Sequence, residues 1–394
     1  MRRLLLLVGV LVFVDTMLYA ALTPLLPHLV HDKRRAGILV AAYAAGALIG
    51  GLPGGIAAVR LGARRAVLLG LTGMGLASLG FAFAGGFWTL FAARLLQGLG
   101  SGFTWAGAFA WLLAAAPSNR RGELIGSAMG AAVFGALFGP VVGAAAALAG
   151  RAVVFAALAS LAVVLGVWAL RIEDAPEEEH PSFAAVARAL RNRLFVAGLA
   201  LMALASLLFG VLSTLGPLHL SHAGWGAAAI GGLWLGGAAL ETIESPVLGR
   251  ISDRYGRLLP VRAGLIASAL VAGGLALGLR PAVYAPLVVL AGMAFGSLFT
   301  PAFVLISDGA ERSRLAQGMA FGVMNAAWAL GAVVGPAAAG AIADATGDWI
   351  PYVLTAAACV VALAAARRGG SAATVAEAAR PRWASPLPRP RSPR

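Results

Sequence analysis

Twelve stretches of predominantly apolar residues, each about as long as a helix needs to cross a bilayer, follow one another along this chain and dictate where it can fold. They lie near 4–30, 37–59, 66–84, 87–115, 122–148, 152–170, 194–219, 226–249, 259–279, 282–307, 315–342 and 349–366. In hydrocarbon every backbone N–H and C=O must find its partner within the segment, so such stretches are read as helices. Only 12% of the 394 residues are charged and the mean hydropathy is +0.87, against roughly 25% charge in a water-soluble domain. A soluble globular protein, a water-exposed strand protein and a disordered chain are excluded together. The first stretch holds Asp15 and has no small-residue cleavage site, so it is read as a retained span and not as a signal peptide.

The net charge of +14 has to be placed before it is interpreted. With both termini in the cytoplasm, 24 arginines fall on the inner side, among them Arg2, Arg3, Arg60, Arg64, Arg171, Arg188, Arg250, Arg254, Arg257 and seven in the tail. Lys33, Arg34, Arg35, Arg151 and Arg280 fall outside, and Arg94 lies within a span. The positive-inside rule thus sets a multi-pass protein of the inner (plasma) membrane with cytoplasmic termini, the loop HDKRR being a local exception. The charge reads as orientation and not as a nucleic-acid partner. Lys33, the single lysine, follows no glycine-rich turn, so no Walker-type phosphate loop is present. One cysteine, Cys359, permits no internal disulfide or zinc cluster, and His28, His31, His219 and His222 read as solvated interface residues and not as metal ligands. No cofactor and no metal are expected.

The two halves resemble each other. GGIAAVRLGARR after the second span and LGRISDRYGRLL after the eighth align Gly55 with Gly249, an offset of 194, and GALFGPVVG and GAVVGPAAAG align Pro140 with Pro336, an offset of 196. Half the chain is 197 residues. Two unrelated signatures at nearly one offset indicate a duplication, the pattern of parallel six-helix repeats around a midplane site.

On these residues the chain resembles the major facilitator superfamily of transporters. Gly249, Asp253, Arg254, Gly256 and Arg257 match its loop signature G-x-x-x-D-R-x-G-R, and in the first half Gly55, Arg60, Gly62 and Arg64 remain while Val59 and Ala63 stand where an acid and a base are expected. Arg94, Gln97 and Gly98 match R-x-x-Q-G of proton-coupled members, and Gly135, Gly139, Pro140 and Gly143, with Gly335 and Pro336 in the repeat, resemble the motif of drug/proton antiporters. VDTMLYAALTPLLPHL resembles, more weakly, the branch of bacterial multidrug pumps and vesicular amine transporters; of that branch's three carboxylates in the second half Asp308 is kept, while Ser213 and Asn325 replace the others. The resemblance implies an all-α membrane protein of twelve transmembrane helices in two pseudo-symmetric six-helix bundles. The halves would be 1–170 and 194–366, with a cytoplasmic linker at 171–193 and a disordered basic cytoplasmic tail at 367–394.

Charge inside the spans marks the candidates for chemistry. Asp15, eleven residues into the first span, lies roughly 16 Å deep at about 1.5 Å per residue. A carboxylate there costs about 2.5–3.5 kcal/mol on insertion scales, so it faces either a wet cavity or a hydrogen-bond partner on a neighbouring helix. Arg94 is the expected partner of Asp15, in a pair that is either broken on protonation or permanent. Glu241 and Glu244 share a face of the eighth span, with Glu241 roughly 12 Å from its inner end. Tyr19, Gln97, Trp105, Asn325 and Trp328 are cavity candidates, although aromatic residues in spans also serve as packing. The Gly–Pro motifs either bend their helices or form static notches.

These readings converge on a proton-driven antiporter that exports small amphipathic compounds by alternating access, a functional monomer whose partners are a small-molecule substrate, protons and lipid. A dedicated exporter or importer of one metabolite is the alternative, and a non-transporting membrane sensor the alternative from another class. An enzyme is not expected, since neither G-x-S-G nor H-E-x-x-H occurs.

Overall fold

The computed structural model describes residues 2–117, 121–174, 183–255, 258–278 and 280–378, with side chains described at all of these except 121–123, 183, 245, 246, 249, 252, 253, 255, 317, 318 and 368–378. The first half contains α1 (Arg2–Ala20), α2 (Leu22–Leu29), α3 (Lys33–Leu61), α4 (Ala63–Phe83), α5 (Phe87–Ala115), α6 (Arg121–Ala149) and α7 (Arg151–Leu170). A short α8 (Phe183–Ala189) leads to α9 (Arg193–His222), α10 (Ala227–Tyr255), α11 (Leu258–Ala276), α12 (Pro281–Gly296), α13 (Phe299–Arg312), α14 (Gln317–Thr346) and α15 (Trp349–Ala378). Taking α1 with α2 and α12 with α13 as single passes gives the twelve transmembrane helices. Ten of these passes are long and apolar enough to cross a membrane by composition alone; α5 and α10, of matching length, carry Arg94 with Gln97 and Glu241 with Glu244. Large apolar side chains such as Leu76, Phe83, Trp88 and Leu270 stay exposed on the outside of the bundle, as lipid-facing residues do.

Proline sets the two interruptions. Pro24 has no N–H to give to the carbonyl of Ala20, and the first pass breaks at Ala21; Pro301 stands in the same relation to Ser297, and the tenth pass breaks at Ser297 and Leu298. Such breaks are tolerated at membrane depth where neighbouring groups satisfy the freed carbonyls.

The duplication is visible in the packing. In the first half α1 lies on α6, α3 on α5 and α4 on α7; in the second α9 lies on α14, α10 on α12 and α11 on α15. One hydrogen bond is repeated: the Thr16 hydroxyl donates to the Ala132 carbonyl at 2.7 Å, and the Ser206 hydroxyl to the Trp328 carbonyl at 2.8 Å. From Ala132 to Trp328 the offset is 196, that of the Gly–Pro motifs. Glycines bring these helices close. A Cβ on Gly135 or Gly139 would run into α1 at Phe13 and Ala20, and one on Gly331 or Gly335 into α9 at Ala203 and Leu207. The halves meet chiefly through α3 with α14 and α6 with α10.

The expected tail is revised at its start. α15 continues to Ala378, through the first part of the 367–394 stretch read as disordered, because SAATVAEA is rich in helix formers and holds no proline. Residues 379–394 lie outside those described.

Candidate functional site

Six buried residues of the first half, Asp15, Tyr43, Ser78, Arg94, Gln97 and Ser101, with the half-buried Trp105, form one polar cluster on α1, α3, α4 and α5. Asp15 is 3% exposed, and its carboxylate accepts from the Tyr43 hydroxyl at 2.9 Å on Oδ1 and from the Trp105 indole N–H at 2.7 Å on Oδ2. Ser101, also 3% exposed, is buried beside the same carboxylate and bears on it electrostatically. Arg94, 1% exposed, donates from Nη1 to the Leu18 carbonyl at 3.1 Å and to Gln97 Oε1 at 3.2 Å, and from Nη2 to the Tyr19 carbonyl at 3.1 Å. Gln97 in turn donates from Nε2 to the Ser78 hydroxyl oxygen at 3.2 Å.

Asp15 and Arg94 do not form the direct pair expected from their charges: no ion pair within 4.0 Å joins them. Tyr43 stands between. Its ring carries the Arg94 guanidinium 4.7 Å from the centroid while its hydroxyl meets Asp15. The reason lies in the proline break. The last turn of α1 presents the partial negative charge of a helix C-terminus, and the planar fork of arginine fits two of its carbonyls at once. A buried guanidinium held in this way at Nη1 and Nη2 does not turn to the carboxylate, which takes the neutral donors Tyr43 and Trp105 instead. Arg94 Nε has no hydrogen-bond partner.

Other predicted residues fall into place around this cluster. Tyr19 packs edge-on against Trp328 with ring centroids 5.2 Å apart, so aromatic residues of the two halves touch next to the Arg94-bound turn. Trp105, expected in the cavity, uses its indole N–H on Asp15 and stacks on Phe109. Gln97 is fully buried and committed to Arg94 and Ser78. Asn325 is half-buried on α14, one turn from Trp328. Tyr43, Ser78 and Ser101 went unnoticed in the sequence; the one signal was that Tyr43 interrupts a run of alanine and glycine.

The second half holds a separate acidic pair. Glu241 lies against the bare Cα of Gly296, at the end of α12 where the tenth pass breaks. Glu244 is half-buried, and its Oε2 is buried without a hydrogen-bond partner. Neither glutamate joins the Asp15 cluster. Asp308 and Ser213 are half-buried on α13 and α9.

The loop motif of the first half is tied to the end of α7. Arg64 Nε is 3.7 Å from Asp174 Oδ2, its backbone N–H donates to Asp174 Oδ1 at 3.3 Å, and Nη1 donates to the Ile172 carbonyl at 3.3 Å. Gly62 turns this corner at φ +94°, a conformation that glycine alone adopts without strain. Gly55 is partly buried and Arg60 exposed on α3. Of the second motif, Arg254 is exposed on α10, Gly249 and Asp253 are described in backbone only, and Gly256 and Arg257 lie outside the described residues. The Gly–Pro motifs lie where the halves meet: the Pro140 carbonyl is beside Gly231 of α10, and the Pro336 carbonyl is on Gly37 of α3. At that same end of the bundle, opposite the linker, Lys33 Nζ and Asp348 Oδ1 form a 2.7 Å ion pair across the halves.

Comparison with known proteins supplies the family. The profile described as Major Facilitator Superfamily matches residues 4–320. A relative named as an uncharacterized MFS-type transporter, YcaD of Shigella flexneri, is 26% identical over 331 residues, which is 81% of this chain and 82% of that one. YcaD of Escherichia coli O139:H28 is 26% identical over 311 residues, covering 76% and 77% of the two chains. Among solved structures, the nucleoside transporter NupG superposes with a TM-score of 0.71 at 16% identity, over 93% of this chain and 99% of that one. The xylose transporter XylE of E. coli in a partially occluded inward-open state gives 0.69 at 16%, over 91% and 96%. A bacterial homologue of the human lysosomal transporter Spinster, inward-facing and unoccupied, gives 0.74 at 13%, over 92% and 94%. With its duplicated six-helix bundles, its loop and Gly–Pro motifs and this match over most of its length, the chain belongs to the Major Facilitator Superfamily and is a membrane transporter.

Proposed function

We propose that this transporter is a proton-coupled antiporter that exports small amphipathic compounds across the plasma membrane by alternating access, as a monomer with both termini in the cytoplasm. The observation that carries this reading is the Asp15 cluster: a carboxyl group buried at mid-span beside a buried guanidinium, one turn from the place where aromatic residues of the two halves meet. Ionisable groups at that depth mark ion and proton pathways. Protonation of Asp15 removes a charge from a cluster that touches the seam between the halves, which gives the two conformations different affinities for protons. The Tyr19–Trp328 contact offers an apolar, aromatic wall to a substrate, and Asn325 one polar group beside it. The acidic pair Glu241 and Glu244 would serve as a second proton site or meet a cationic group of the cargo. A proton gradient would be the energy source, and no cofactor is needed.

In proteoliposomes, a substrate found in a growth screen at two external pH values should be driven by an imposed pH gradient in the native protein. In Asp15→Asn it should exchange only downhill. Full retention of gradient-driven transport in that variant refutes the role of Asp15.

The second reading is a dedicated carrier of a single metabolite. The neighbours titled as nucleoside and xylose transporters favour it, in that this same fold there serves one class of polar cargo. One responding compound in the screen selects this reading, and a broad pH-dependent response selects the first.

A further inference from the structure

The Tyr43 hydroxyl has two oxygens of the same residue within reach. It lies 2.9 Å from Oδ1 of Asp15 and 3.3 Å from the main-chain carbonyl oxygen of Asp15. A hydroxyl is both donor and acceptor, whereas the Trp105 indole on the other carboxylate oxygen can only donate. When the carboxyl group takes a proton on Oδ1, its new O–H needs an acceptor; the indole cannot provide one, and of the hydroxyls near the carboxyl, Tyr43 is the one hydrogen-bonded to Oδ1 with a second acceptor in reach of its own proton. Tyr43 can: its own proton turns toward the main-chain oxygen and its lone pair receives the carboxyl proton. The heavy atoms stay where they are. One proton has been added to Oδ1, none has left Tyr43, and the roles of donor and acceptor in the 2.9 Å contact have exchanged.

The main-chain oxygen of Asp15 already belongs to α1, where the residue four positions on is Tyr19. Drawing a second donor to that oxygen loads the turn whose carbonyls, those of Leu18 and Tyr19, hold Arg94. Arg94 also rests on the Tyr43 ring, so both ends of the tyrosine bear on the same few atoms. Arg94, from α5, is the charged group that acts on Asp15 among the described residues, and Tyr19 of α1 is the remaining titratable neighbour. Toward α6 the contact is the neutral Thr16 hydroxyl on the Ala132 carbonyl, and toward α14 it is Trp328.

We propose that Tyr43 is the positioning residue that transmits the protonation of Asp15 to the Arg94-bound turn of α1, by exchanging its hydroxyl between the Asp15 carboxylate and the Asp15 main-chain oxygen. The proposal rests on Asp15 being the proton site. No hydrogen bond need break for the state of Asp15 to be felt in α1; one need only reverse.

Infrared difference spectroscopy of the full chain in liposomes, stepped from alkaline to acid pH with the proton as the sole ligand, tests it. The native protein should show a carboxylic C=O band that is lost in Asp15→Asn, together with a tyrosine C–O band that is lost in Tyr43→Phe. In Tyr43→Phe the Asp15 band should move to higher frequency, since the carboxyl loses its acceptor. Trp105→Phe should move the Asp15 band and leave the tyrosine band in place. Where Tyr43→Phe fails to fold, the band should still shift with ring-deuterated tyrosine in the unaltered sequence and should stay in place when each of the other four tyrosines is replaced in turn by phenylalanine, which assigns it to Tyr43. An Asp15 band with no accompanying tyrosine band, or with one that survives in Tyr43→Phe, overturns the role of Tyr43 and leaves the proton site standing. Absence of the Asp15 band from the native protein overturns both.

Discussion

Replacing Asp348 by asparagine removes the anionic partner of Lys33 and leaves the shape of the turn intact. The pair is 2.7 Å long and its side chains are 27% and 30% exposed, so it is neither a dry interior pair nor a fully solvated one. Pairs of this kind contribute about 1 kcal/mol at most, the Coulomb energy being offset by screening and by the entropy of holding a lysine still. About 1 kcal/mol is a fivefold change in an equilibrium. Lys33 is the single lysine of the chain, so an amine-reactive reagent modifies Lys33 and the N-terminal amine, and mass analysis of peptides separates the two. The initial labelling rate of Lys33 should rise about fivefold in Asp348→Asn. In about 1 M salt, where the screening length falls to about 3 Å, the native protein should approach the rate of the variant. Asp344→Asn, at an exposed aspartate four residues earlier, serves as control and should leave the rate unchanged. Equal labelling of native and Asp348→Asn protein, with no response to salt, would refute an ion pair that holds this end of the two halves together.

Arg94→Lys keeps the charge but loses the fork that spans the Leu18 and Tyr19 carbonyls and Gln97; losing one or more charge-assisted hydrogen bonds of about 2 kcal/mol should lower initial flux in proteoliposomes by roughly 30-fold. Gly98→Ala places a methyl group on the Tyr43 carbonyl, where overpacking costs about 1–3 kcal/mol, and should lower the unfolding temperature in detergent by several degrees. Gly130→Ala, which meets nothing within 4 Å, should not. Asp253→Asn should impair flux far more than Val59→Asp, because the first half lacks the acid of the shared loop motif; equal effects would remove the asymmetry.

The passes and the duplication were legible because apolar length and the recurrence of glycine, proline and arginine at a fixed offset are written along the chain itself. Asp15 and Arg94 stood out for the same reason, as charges where charge is expensive. Their relation to each other was not legible. Pairing opposite charges was the natural expectation, yet the guanidinium is satisfied by carbonyl oxygens that every residue possesses, freed at a turn that Pro24 interrupts. Tyr43 was hidden because its partner is 28 residues away and an aromatic residue among alanines reads as packing. The outer basic loop looked like an exception to the orientation rule; in the fold its lysine is one side of a contact whose other side, Asp348, lies near the far end of the sequence.

Pro336 belongs to two contacts of different kinds. Its ring lies on Gly210 of α9 within its own half, while its carbonyl lies on Gly37 of α3 in the other. At that point backbone meets backbone, a Cβ at position 37 running into the Pro336 carbonyl and the Gly340 Cα. The proline is seated in one half and bears on the other. A bulky residue at position 37 would press on that carbonyl without touching Asp15, so its effect on flux would read the contact between the halves apart from the buried carboxyl group.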